Sequence, residues 1–232
     1  MRKILILPAI AVALYLPQAV AVLAQACVAD KYGGLVCGEG NNALRVIADT
    51  ASPSGKFALA WRSAQGLPRG DKAPSGEIEN VLIRLADGAP LAKLGGVFWA
   101  TGEMRANRYD VIAAWSPDSR AVIEVSNDRW DTYSLGWYSL DGDDKAAALD
   151  LRALVEPALK AKLPPARRDS YSFRVHEDLP VRLDARGHAQ FTGILYVPKA
   201  ETSLDYRVLV RIGFKGGKPM PRIVSMRRIK EK

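Results

Sequence analysis

The chain has 232 residues, with 33 Lys and Arg against 25 Asp and Glu, a formal charge of +8, 2 Cys and 2 His. So few histidines and cysteines give little material for a metal centre or a thiol nucleophile, and the basic balance favours anionic partners. The N-terminus narrows this further, because an exported protein meets neither ATP nor a nicotinamide pool, and nucleic acid is excluded as a partner.

Arg2 and Lys3 form a positive start, residues 4–23 are apolar and without charge, and Ala24-Gln25-Ala26 is a small-x-small cleavage site. Residues 1–26 therefore read as a signal peptide, with a mature chain from Cys27 that has no transmembrane segment and works in the periplasm or outside the cell. Two alternatives stay open, an uncleaved N-terminal helix and lipid attachment at Cys27, either of which would tether the protein to a membrane. Pro8 and Pro17 interrupt the first, and Gln25 before the last small residue is unlike a lipoprotein signal. Removal of the signal leaves about 200 residues, read as a single mainly-β domain over 27–232. An even cysteine count in an exported chain predicts a Cys27–Cys37 disulfide around Gly33 and Gly34, worth about 3 kcal/mol.

A repeat of turn signals sets the expected architecture. Ser52-Pro53-Ser54-Gly55-Lys56 leads into Phe57-Ala58-Leu59-Ala60-Trp61, and Ser116-Pro117-Asp118-Ser119-Arg120 leads into Ala121-Val122-Ile123-Glu124-Val125. Serine, then proline, then a short polar residue suits a type I turn between two strands. A looser third copy passes from Val181-Arg182-Leu183 through Asp184-Ala185-Arg186-Gly187 into residues 189–197. Apolar runs at 80–85, 133–140 and 206–214 supply third strands, and 91–99 and 222–229 supply fourth strands in the outer units. The fold class expected is mainly β: three antiparallel, roughly four-stranded meanders forming a partial propeller or a sandwich. One helix is expected near 146–163, where alanine and leucine recur at helical spacing until Pro164 and Pro165, with Pro157 as a kink.

Trp115-Ser116-Pro117-Asp118-Ser119-Arg120 resembles the Trp-Ser-Pro-Asp-Gly-Lys turn of bacterial envelope β-propellers of the TolB and WD40-like repeat type, and Ser52-Pro53-Ser54-Gly55-Lys56 is similar. The resemblance covers about a third of the mature chain, with Ser119 in place of the usual glycine and repeats longer than the roughly 40–45 residues of a blade. It implies scaffolding or partner binding, and it transfers no catalytic residue and no cofactor.

The sequence offers no catalytic constellation. His176 and His188 lie at a polar strand end and beyond a turn, without the spacing of a zinc site, so no metal is expected. Gly213-Phe214-Lys215-Gly216-Gly217-Lys218 reads as a hairpin turn, and Asp141-Gly142-Asp143-Asp144 as a strand-to-helix turn. Arg222, Arg227, Arg228, Lys230 and Lys232 read as a solvated strand face and tail. The candidate binding segment is Asn127, Asp128, Arg129, Trp130, Asp131 and Tyr133, aromatic rings beside polar groups between two strands. The function expected is a non-catalytic binding or scaffolding protein of the cell envelope, with an envelope protein, a glycan or an anionic lipid surface as partner. The alternative is an envelope hydrolase or modifying enzyme using paired carboxylates from among Glu103, Asp110, Asp128 and Asp131. Intact-mass measurement of the exported protein should show loss of residues 1–26 and of two hydrogens; an added lipid mass would assign Cys27 to an anchor instead.

Overall fold

The computed structural model describes residues 27–31, 33–68, 72–107, 109–141, 145–198 and 203–229; residues 1–26, read above as a signal peptide, lie outside them. β1 (Val28–Ala29), β2 (Leu35–Cys37), β3 (Leu44–Val46), β4 (Phe57–Ser63), β5 (Ile78–Arg84) and β6 (Pro90–Lys93) form the first sheet. A small ribbon, β7 (Ala100–Thr101) with β8 (Met104–Arg105), precedes the second sheet, built from β9 (Asp110–Trp115), β10 (Ala121–Asn127), β11 (Thr132–Asp141) and β12 (Lys145–Asp150). Helix α1 (Arg152–Lys160) and a 3-10 segment, Pro165–Ser170, lead to the third sheet. There β13 (Ser172–Val175), β15 (His188–Tyr196), β16 (Ser203–Lys215) and β17 (Lys218–Arg228) lie side by side, and β14 (Arg182–Leu183) shares the edge of β15. All the pairings are antiparallel, and the mainly-β meander architecture expected from the sequence is formed.

The sheets stack face to face with the second in the middle, because its strands are apolar on both sides. Ile123, Val125, Leu135 and Trp137 face the third sheet and α1, meeting Val155, Leu159, Phe173, Phe191 and Val208 in one core. Val122, Tyr138 and Leu140 face the first sheet and meet Phe57, Leu59, Trp61 and Leu82 in another. Alternate side chains of a strand point to opposite faces, so an unbroken apolar run is the signature of a sheet covered twice. The outer face of the first sheet is covered by the chain's own N-terminal strands, which place Cys37 and Leu44 over Ala60, Val81 and Ile83. The predicted Cys27–Cys37 disulfide is present and clamps the β1–β2 hairpin, whose turn closes through Gly33 at φ 77°.

The repeated turns are built alike. Gly55 N–H donates to Ser52 C=O at 2.9 Å and Ser119 N–H to Ser116 C=O at 2.9 Å, while Gly187 N–H reaches Asp184 C=O at 3.1 Å. The fourth turn residue is left-handed in each, with Gly55 at φ 67°, Ser119 at 60° and Gly187 at 76°. Serine is uncommon in that region. Here its hydroxyl accepts the N–H of Ser54 at 3.0 Å, so the residue that departs from glycine bonds the second turn to the first. Trp115 adds a second link, its Nε1 donating to Thr50 C=O at 2.8 Å.

Several expectations are corrected. Residues 145–150 form strand β12 instead of the start of a helix, since backbone pairing with β11 over Gly136–Asp141 overrides the helix propensity of three alanines. The helix is therefore Arg152–Lys160, running through Pro157. The acidic segment at 141–144 accordingly connects two strands and not a strand to a helix; residues 142–144 lie outside the described residues. The fourth strand of the first unit is only Pro90–Lys93. Beyond it Gly95 and Gly96 press so closely on Ser134 and Ser126 of the middle sheet that a Cβ on either would collide with a serine side chain.

This close approach roofs a polar spot inside the stack. Glu124 is fully buried and accepts hydrogen bonds from the hydroxyls of Ser126 and, at 2.7 Å, Ser134. Burial pushes its pKa above the ordinary 4.5, against the opposing pull of those serines and of the Gly136 N–H. A carboxyl with a raised folded-state pKa keeps a proton that the unfolded chain releases near pH 4.5, so stability falls as pH rises above that value and levels off once Glu124 ionises in the folded state. Urea unfolding of Glu124→Gln beside the native protein should show the variant gaining relative stability as the pH is raised above about 4.5. A constant difference across that range would remove the assignment.

Candidate functional site

The two faces of the third sheet differ in kind. On β16, Tyr206, Val208, Val210 and Ile212 turn inward to the core, and Arg207, Leu209 and Arg211 turn outward. Register carries this across the sheet. Arg207 pairs with Arg227 and Arg211 with Arg222 on β17, while His188 pairs with Arg211 and Arg182 pairs with Gln190. Arg182, Arg207, Arg211, Arg222 and Arg227 are all exposed. None of the five takes part in an ion pair among the described residues. Like charges directly opposite on neighbouring strands destabilise a sheet, and this face carries two such pairs.

The face is also grooved. A hollow of about 450 Å³ lies over Arg207, Ser225, Arg227 and Ile229, and one of about 640 Å³ over Trp115, Pro117, Val181 and Arg182. Gln190 and Leu209 line both, so the two hollows are neighbours on the sheet. At about 4.8 Å per strand, the span from β14 to β17 is about 14 Å. The groove thus has an apolar floor at Leu209, an aromatic wall at Trp115 and guanidinium groups at both ends. His188 at its side gives Nδ1 to Asp184 at 2.9 Å. Burial opposes ionisation of Asp184, but hydrogen bonds from His188 and Arg186 outweigh it and hold the carboxyl below its usual range.

The six residues nominated in the sequence occupy the β10–β11 turn, and none lines either hollow. Half of the segment is structural. Asn127 is buried, donates to Val175 C=O at 3.0 Å and accepts the Thr132 hydroxyl at 2.7 Å. The Asp128 carboxylate accepts the N–H groups of Trp130 and Asp131, each at 2.7 Å. The other half is open: Trp130 is 39% and Tyr133 50% exposed, with the Arg129 guanidinium 4.3 Å above the Trp130 ring. Trp130 therefore stands at the surface and does not plug the hairpin.

Two of the four carboxylates proposed for hydrolysis, Asp110 and Asp128, have partners of their own. Asp110 is bound by Arg105 at 2.7 Å and faces Arg174 at 3.9 Å; Arg174 also holds Glu177 at 3.0 Å and the Asp128 carbonyl. Beside this hub the Tyr196 hydroxyl is pushed up to about 12 by burial, then by Asp131 and Asp128. Glu103 sits in the exposed β7–β8 turn. His176 takes the Asp178 N–H at 3.2 Å, and the described residues contain no group of three His, Cys, Asp or Glu able to hold a metal.

Arg222 and Arg227 are legible in the sequence as part of a basic run, but Arg182, Arg207 and Arg211 are not, because register alone brings them together. The signal that finds the last two is alternation: arginine at 207 and 211 with valine at 208 and 210. No protein-family model matches the chain, and no curated protein matches it. If the opposed arginines are a cost to the fold, Arg227→Glu should pair with Arg207 and raise unfolding stability by about 0.5 kcal/mol in urea titration, with Arg227→Ala between the two.

Proposed function

We propose that this is an exported, non-catalytic binding protein of the cell envelope that holds an anionic partner against the outer face of its third sheet. The observation that carries the reading is the pairing of exposed arginines across β16 and β17, none of which takes part in an ion pair among the described residues. Repulsion built into a strand register lowers stability, and an anionic partner recovers that loss on binding. The groove gives the partner shape as well as charge, since Leu209 and Trp115 offer apolar surface between the guanidinium groups.

Two further features support the reading. The disulfide fits an oxidising compartment, and the charged N-terminus, apolar stretch and cleavage site fit export to the periplasm. Of the carboxylates a hydrolase would need, Asp110 is in an ion pair and Asp128 is bonded to its own turn. The resemblance of the Ser-Pro turns to envelope β-propellers points the same way, toward holding a partner and away from chemistry.

The test compares two variants of equal charge. One carries Arg207, Arg211, Arg222 and Arg227 as Ala; the control carries Lys56, Arg120, Lys162 and Arg167, exposed cations elsewhere, as Ala. Binding to polygalacturonate, lipopolysaccharide and phosphatidylglycerol vesicles is measured across a salt series. The native protein and the control should bind at least one of these with a steep salt dependence, and the face variant should lose that binding by tenfold or more. Equal loss in both variants, or no binding by the native protein, would refute the reading.

A further inference from the structure

The same hairpin that carries the arginines ends in a tip of a different character. β16 and β17 close through Gly216 and Gly217, both left-handed at φ 58° and 75°, with Lys215 paired to Lys218. Two such residues make the tight turn that prolongs a twisted ribbon without splaying it. Around the turn Phe214 is 62%, Met220 54% and Val224 47% exposed, three large apolar side chains on one hairpin. Met220 stands opposite Gly213 in the row next to Arg211 and Arg222, while Phe214 projects to the other side, its ring 6.1 Å from that of Trp137. Lys215 and Lys218 are exposed at the end.

The succession along the outer face is therefore arginines, then Met220, then lysines, with Phe214 behind. A soluble polyanion accounts for the cations but gives Phe214 and Met220 nothing to enter. A peptide accounts for a groove but not for a blunt apolar tip ringed by lysines. An anionic lipid surface satisfies both, since headgroups meet guanidinium and ammonium groups while apolar side chains enter the headgroup and acyl boundary. From the charge complementarity of this face and the apolar tip that continues it, we infer that the partner is an anionic bilayer surface, with the β16–β17 tip as the element that inserts. This rests on the reading of the arginine face given above and adds its chemistry. No helix among the described residues is long and apolar enough to cross a membrane, so the contact assigned here is peripheral.

The experiment is co-sedimentation of the purified protein with vesicles of phosphatidylcholine alone, and of phosphatidylcholine with an equal amount of phosphatidylglycerol. Polygalacturonate serves as a soluble anionic comparison. The protein should bind only the phosphatidylglycerol vesicles, and less as salt rises. Lys215→Ala with Lys218→Ala should weaken vesicle binding about 25-fold, at about fivefold per cation. Phe214→Ser with Met220→Ser should weaken it about tenfold, with an unchanged salt slope and unchanged binding to polygalacturonate. Met220→Ser alone, which disturbs no buried contact, and a blue shift of Phe214→Trp fluorescence on phosphatidylglycerol vesicles check the tip without risk to folding. Vesicle binding unaffected by the apolar substitutions would overturn the insertion while leaving the arginine reading intact. Binding to polygalacturonate without binding to vesicles would overturn it in favour of a glycan. Failure to bind any anionic probe would defeat the arginine reading itself.

Discussion

The structure depends on burial of both faces of one sheet. The middle meander has no solvent side: Ile123, Val125, Leu135 and Trp137 are covered by the third sheet and α1, and Val122, Tyr138 and Leu140 by the first. Each such side chain contributes about 1.5–3 kcal/mol when taken out of water, and none of it is available to the middle sheet alone. The first and third sheets are thus held together through the second. Its close fit is visible where Gly95 and Gly96 lie against Ser134 and Ser126, leaving no room for a Cβ. The buried Glu124 lies between those serines, and their hydroxyls together with the Gly136 N–H are what make its burial tolerable.

A stack of three sheets has two ends, and the chain treats them differently. At one end the N-terminal strands and the Cys27–Cys37 clamp cover Ala60, Val81 and Ile83, as a cap does at the end of a repeat array. At the other end the outer face of the third sheet carries exposed arginines. Charge is a common way to keep an exposed sheet from pairing or stacking with another. Here, however, two pairs of arginines are opposed in register, which costs stability that a mixture of lysine and glutamate would not. The same hairpin projects the apolar side chains of Phe214 and Met220 into solvent. A face selected only for solubility would place neither feature there.

The segment at 127–133 shows how a polar, aromatic stretch divides its labour. Its polar side chains work inward: Asn127 ties the turn to Val175, and Asp128 caps the turn itself. Its rings work outward, with Trp130 and Arg129 stacked at the surface. Asp110 and Asp128, which look available in a linear reading, are matched with guanidinium or N–H groups once the sheets pack. Arg174, whose Nη1 meets the Asp128 carbonyl and whose side chain reaches Glu177 and Asp110, is the residue that absorbs them.

The sequence by itself determined what is local. Ser-Pro turns, alternating and continuous apolar runs, and a pair of glycines between two lysines are enough to place most strands and the β16–β17 turn, because backbone preference and side-chain period act over a few residues. The even cysteine count pointed to the disulfide, which suits an oxidising compartment. Tertiary structure decided what is not local. It turned the alanine run at 146–148 into an edge strand, because hydrogen bonds offered by β11 outweigh an intrinsic preference worth a fraction of a kcal/mol per residue. It placed Arg207 opposite Arg227 and Arg211 opposite Arg222, positions 20 and 11 apart in the chain. Register converts scattered basic residues into a face, and it is fixed by which side of each strand the core demands; a shift of one residue would send those arginines inward.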